Sequence, residues 1–135
     1  MGLGIRAEAH AIAALVRVLL RLLPLPRVAA LLARIPRTRS LSTPRDCVAA
    51  AAEAARRAAH PTCLFTALTT FALLARRGYR PDLVIGAARV GRGFRPRQAG
   101  FDAHAWVNLA GVPVVSNAHD YAALWSYGAS AGETR

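Results

Sequence analysis

Lysine is absent from the 135 residues and carboxylates are few: 18 basic side chains, all arginine, stand against seven acidic ones, for a formal net charge of +11. An all-arginine, alanine-rich composition reads as genome-level base-composition bias rather than as design for one ligand. The excess still favours polyanions and acidic peptides as partners and speeds their encounter, and it equally describes a solvated basic face. Cysteine is scarce: Cys47 and Cys63 are the only two. Two thiols do not make a disulfide framework, so reduced thiols in a cytoplasmic setting are expected. Neither thiol belongs to a zinc-type spacing, and the histidines at 10, 60, 104 and 119 are scattered, so no metal or other cofactor is expected. A long uninterrupted apolar run is also missing. "AIAALVRVLLRLLPLP" (Ala11 to Pro26) is broken by Arg17 and Arg21 and is too short for the roughly 20 residues that span a bilayer. Proline- and arginine-rich sequence follows it instead of a small-residue cleavage site, which argues against a signal peptide. What remains is an amphipathic helix suited to docking on the domain, on a partner or on a membrane surface.

With 54% hydrophobic residues, the chain can bury the core of one domain. No internal repeat is present. Residues 5–23 read as a helix stopped by Pro24 and Pro26, and 27–35 as a second, stopped by Pro36. Pro36 to Asp46 is a polar, proline-flanked connection. Pro44 to Ala59 is a strong helix former through its alanines. In "HPTCLFTALTTFALLARRGYRP" (His60 to Pro81), Pro61 and Thr62 mark a helix start. Leu64, Leu68, Phe71 and Leu74 or Ala75 form an apolar stripe, and Arg76, Arg77 and Gly78 supply a stop. The pattern then changes. Asp82 to Val90 reads as a strand and Gly91 to Gly100 as a Gly/Arg-rich loop. Phe101 to Leu109 and Val112 to Ser116 read as strands joined by a turn at Ala110-Gly111, and Asn117 to Trp125 as a capped helical turn. Helices first, then a small antiparallel sheet, predict an α+β fold.

Cys63 falls in the first turn of its helix, where backbone N–H groups and the positive end of the helix dipole stabilise a thiolate. A thiolate is the competent nucleophile, and a nearby imidazole would pair with it and later protonate a leaving amine. His104 supplies that imidazole if its strand packs on the helix. It alternates with Asp102 and Trp106 on one strand face, and Trp106 would shield the pair or pack beside a substrate. A third group usually orients the imidazole, and Ser116, Asn117 and Asp120 are the candidates on the following segment. Each residue also has a plain reading alone: Cys63 as a small buried hydrophobe, His104 as a satisfied core group, Asn117 as an N-cap. Their order along the chain makes the set more specific than its members. Cys47 is the weaker nucleophile, because Asp46 beside it opposes a thiolate; it reads as structural.

These residues resemble a known family. Cys63-Leu64 at a helix start, Arg76-Arg77-Gly78 at its end, the Leu83-to-Gly86 strand and the Ala103-to-Val107 strand "AHAWV" are similar to the lasso-peptide biosynthesis B2 proteins and to the C-terminal domain of the microcin J25-processing protein. The likeness covers residues 60–117. It implies a transglutaminase-like, papain-related core over residues 46–135, preceded by an N-terminal helical docking segment over 1–45. The implied activity is that of a cysteine protease removing the leader from a ribosomally made precursor peptide, with Cys63 as nucleophile and His104 as base and acid. The implied partners are the precursor, a small leader-recognition protein and an asparagine-synthetase-like cyclase that uses ATP. Nucleic acid is not among them, and the N-terminal helix offers a peripheral membrane contact. Two positions depart from the family pattern. Asn108 stands where Glu is common, and the usual orienting Asp is matched by Ser116 or Asn117, with Asp120 the next carboxylate. An Asn can orient the imidazole, which makes Cys63, His104 and Asn117 the implied triad. The alternatives are an acyl transferase or amidase that resolves the same acyl-enzyme with an amine, and a non-catalytic basic module for membranes or polyanions.

Overall fold

The structure, a computed structural model, describes residues 3–38, 42–58, 62–88, 103–114, 121–128 and 133–134. Among these the chain forms four helices followed by a five-stranded antiparallel sheet, the expected α+β arrangement. No helix among the described residues is long and apolar enough to cross a membrane.

Helix α1 (Leu3–Leu22) buries Ile5, Ala9, Ile12, Ala13 and Val16, one face at helical spacing. Pro24, in extended conformation, ends that segment and opens α2 (Leu25–Ala33), which buries Val28, Ala29 and Leu32. Helix α3 (Pro44–Arg57) starts on a side-chain cap: the Thr43 hydroxyl accepts from the Asp46 N–H at 3.1 Å, with Pro44 already holding the φ a first turn needs. Its buried face is Cys47 and four alanines, Ala50, Ala51, Ala54 and Ala55. With side chains this small, α1 and α4 can pack closely against it.

Helix α4 (Cys63–Arg76) is the axis of the fold. The apolar stripe expected there is too narrow a description, since residues 67–74 are all buried, as is Phe65, while Leu64 is only half covered. The reason is architectural. Helices α1, α2 and α3 pack on α4 from one side and strands β1 and β2 from the other. Two polar residues tolerate this burial by bonding back along the helix, Thr69 Oγ1 to the Phe65 carbonyl at 2.9 Å and Thr70 Oγ1 to that of Thr66 at 2.8 Å.

The sheet is β1 (Pro81–Ala88), β2 (Ala103–Leu109), β3 (Val112–Pro113), β4 (Tyr121–Gly128) and β5 (Glu133–Thr134), in the spatial order β3-β2-β1-β4-β5. Strand β1 is central, pairing Leu83 with Val107 on one side and with Tyr127 on the other. Leu83, Ala105, Val107 and Tyr127 join the helical core, where Tyr127 meets Phe71 edge-on at 6.3 Å. Ala110 and Gly111, both at positive φ, make the tight β2–β3 turn.

The capped helical turn expected over Asn117–Trp125 needs correction. Residues 121–125 belong to strand β4; 117–120 lie outside the described residues. The Ala-Ala-Leu-Trp stretch has helical propensity, but β1 offers a free edge, and Trp125 and Tyr127 gain burial on the core face only from an extended chain. A bulge at Ile85/Gly86 leaves Leu124 as the extra residue, and it is exposed.

Candidate active site

Cys63 is the first residue of α4 and is solvent-exposed. Thr62 caps this end: its hydroxyl oxygen accepts from the Phe65 N–H at 3.1 Å, and its carbonyl accepts from the Thr66 hydroxyl at 3.0 Å. A helix start leaves its first amides without i−4 acceptors. The amides of Cys63 and Leu64 are therefore available beside the sulfur, at the end of the helix that favours negative charge.

The residues at i+3, i+4 and i+7 from Cys63 are Thr66, Ala67 and Thr70, on one face of α4 with it. That face forms one wall of a cavity of about 220 Å³. The opposite wall is β2, from His104 to Val107. Cys63 and His104, distant in sequence, thus line the same cavity.

His104 pairs with Gly86 across the β1–β2 ladder, and Trp106 with Val84. The Trp106 ring stacks on the His104 imidazole, with centroids 5.9 Å apart and planes inclined by 24°. Gly86 makes room for this. A Cβ at Gly86 would stand 2.6 Å from the Ala122 carbonyl oxygen and 2.7 Å from the Trp106 ring, so any side chain there displaces either the strand or the indole. Trp106 is buried and the Nε2 atom of His104 is shielded from solvent. Thr66, Thr70 and Gly86 are site residues the sequence reading missed. Their signals were present, as helical spacing from Cys63 and as a glycine inside a strand. Asn108 shares the strand parity of His104 and Trp106; its Oδ1 is buried and takes no donor among the described residues.

The third-member candidates Ser116, Asn117 and Asp120, and Asp102, lie outside the described residues. Cys47 is elsewhere in the fold, in the core between α3 and its neighbours. Burial pushes its thiol from 9.0 up to about 11, with Glu8 and Asp46 adding to the rise and Arg77 opposing it. A native-state alkylation experiment with iodoacetamide is expected to modify Cys63 promptly and Cys47 only on unfolding; equal rates at the two thiols would contradict this placement. The raised value also affects stability. The folded state holds the Cys47 proton more tightly than the unfolded chain does, so this contribution is complete below pH 9 and is lost as pH rises toward 11. The loss amounts to about 2–3 kcal/mol. Denaturant titrations at several pH values should show that limb flattened in Cys47→Ala; an identical limb in the variant would assign it to other groups.

A family model described as the transglutaminase-like superfamily matches residues 6–126. The chain belongs to the transglutaminase-like superfamily. That superfamily includes cysteine proteases and acyltransferases, and a helix-start cysteine that shares a cavity with a strand histidine is compatible with either chemistry. The superfamily match begins in α1, the helix whose buried face contributes to the core around α4. No curated protein and no solved structure matches the chain.

Proposed function

We propose that the protein is a cysteine peptidase that removes the leader from a ribosomally made precursor peptide of the lasso class, acting in the cytoplasm with a small leader-recognition protein and ahead of an ATP-dependent cyclase. The observation that carries the reading is the shared cavity: an exposed helix-start thiol on one wall and an imidazole held by a tryptophan on the other. The "CL…ARRG…AHAWV" pattern supports the finer assignment to leader removal.

In this reading the Cys63 thiolate attacks the scissile carbonyl, and the C–S bond forms as the carbonyl π pair moves onto oxygen. The Cys63 and Leu64 amides face the developing oxyanion. Collapse breaks the C–N bond, and the imidazolium of His104 protonates the departing amine. Water then attacks the thioester, gives its proton to His104, and the thiolate leaves. Asn117 is the orienting residue of this proposal, with Ser116 and Asp120 as alternates.

The test is product mass. The protein is incubated with precursor and recognition protein, and the peptides are followed by mass spectrometry. Leader release with addition of one water supports the proposal. Addition of an amine in place of water makes the protein an acyl transferase on the same site. An intact precursor, with both partners present and Cys63 reactive to iodoacetamide, removes the leader-peptidase assignment.

A further inference from the structure

The structure assigns a second binding site, for an acidic peptide segment, at the end of α4 remote from Cys63. A cavity of about 290 Å³ opens there between the end of α2, the segment after it and the α4–β1 connection, and Arg34, Arg37 and Arg80 all line it. All three are exposed. No carboxylate lines the cavity, and among the described residues none of the three arginines has an acidic oxygen within 4.0 Å, whereas Arg6, Arg57, Arg76 and Arg77 are all paired. Three guanidinium groups at one opening, without a counter-charge among the described residues, lower their mutual repulsion by taking an anionic ligand.

The walls narrow the ligand class. Ile35, Pro36 and the half-buried Tyr79 line the same cavity, so it accepts carbon as well as charge. A chain bearing Asp or Glu beside small apolar residues satisfies both, with carboxylates on the guanidinium forks and side-chain methylenes against the apolar wall. A nucleic-acid backbone would be better served by an extended basic groove with aromatic stacking platforms. The frame of the cavity is held in place: Arg76 Nε donates to the Pro36 carbonyl at 3.1 Å, the Thr38 N–H donates to the Arg76 carbonyl at 2.7 Å, and the Tyr79 hydroxyl donates to the Ser42 carbonyl at 3.2 Å. The 14 residues of α4 put this site about 20 Å from the sulfur. If the peptidase reading holds, on which this clause alone rests, a substrate anchored here needs about six extended residues to reach Cys63.

The experiment measures binding, not turnover. A fluorescein-labelled Glu/Asp-rich peptide is titrated by anisotropy against the full-length protein. The comparison is with the triple variant R34Q/R37Q/R80Q and with R17Q/R21Q/R27Q, which removes the same charge from exposed arginines elsewhere. Melting curves establish that both variants fold. The expected result is saturable, salt-sensitive binding that weakens about tenfold or more in the first triple and stays within about twofold of the parent in the second. Absence of binding, or equal weakening in both triples, overturns the site in favour of diffuse charge. Displacement by inorganic phosphate at the peptide's own concentration makes it a simple anion site. Tighter binding of a duplex RNA, lost in the first triple, makes it a nucleic-acid site. Each of these results refutes the proposal and leaves the Cys63 reading untouched.

Discussion

Replacing Cys63 with alanine is expected to abolish turnover of a peptide substrate, and His104→Ala to slow it by about 10²–10⁴-fold. Neither change should cost much stability. Cys63 is exposed, so losing its sulfur opens no cavity. His104 is half-buried and outside the main hydrophobic cluster. The two variants differ in what they leave behind. Cys63→Ala has no nucleophile, because Cys47 is buried and protonated in the folded state. His104→Ala keeps the thiol and the helix-end amides but loses the proton carrier, so a residual rate should survive and rise with alkaline pH as hydroxide forms the thiolate unaided. Initial rates by peptide mass across a pH series provide the measurement. Parent-like turnover by Cys63→Ala would place the nucleophile elsewhere. An unchanged rate and pH profile in His104→Ala would remove the imidazole from the mechanism.

Glu8→Ala is expected to destabilise the protein by about 3–5 kcal/mol. Glu8 projects from α1 onto the last turn of α4, where one carboxylate oxygen meets Arg76 and the other accepts from Arg77 at 2.5 Å. The Arg77 side chain is only 2% exposed, so without Glu8 its charge stays buried with its compensation gone. Its remaining recorded bond, to the Leu73 carbonyl at 3.1 Å, does not neutralise it. A shift in melting temperature of about 10–20 °C would follow for a domain of this size. Arg76→Ala should cost less, because Arg76 is 24% exposed and water can serve Glu8 in its place. A melting shift of only a degree or two in Glu8→Ala would show that solvent reaches Arg77 and that the clamp is a surface pair.

What could be read from the chain follows the range of the forces involved. Helix starts at Pro44 and Thr62-Cys63 and the stop at Gly78 were legible, because caps and fixed φ values act within three or four residues. The alternation that put His104 and Trp106 on one side of a strand is equally local. Strand β4 was not legible as a strand, since its extended form depends on pairing with β1 rather than on its own propensities. The Glu8–Arg77 clamp joins positions 69 residues apart, and the helix-stop reading of Arg76-Arg77 contained no hint of it. Gly86 stood inside a quoted motif, but what it clears space for, the Trp106 ring on the neighbouring strand, depends on register. The common cavity of Cys63 and His104 is likewise a product of tertiary packing; the chain order suggested the pair only on the condition that the strand packs on the helix, and the likeness to a known family strengthened it.

The enclosure of α4 gives the cavity one wall that the rest of the fold surrounds. Amides in the middle turns of this helix have no local path to solvent and should exchange hydrogen only when the whole domain opens. The β2 wall is tied in on both sides. Strand β1 pairs along its length, and beyond β3 the Val114 N–H donates to the Val107 carbonyl at 2.9 Å. Ala67 and Thr70, which line the cavity beside Cys63, therefore belong to the last part of the fold to open.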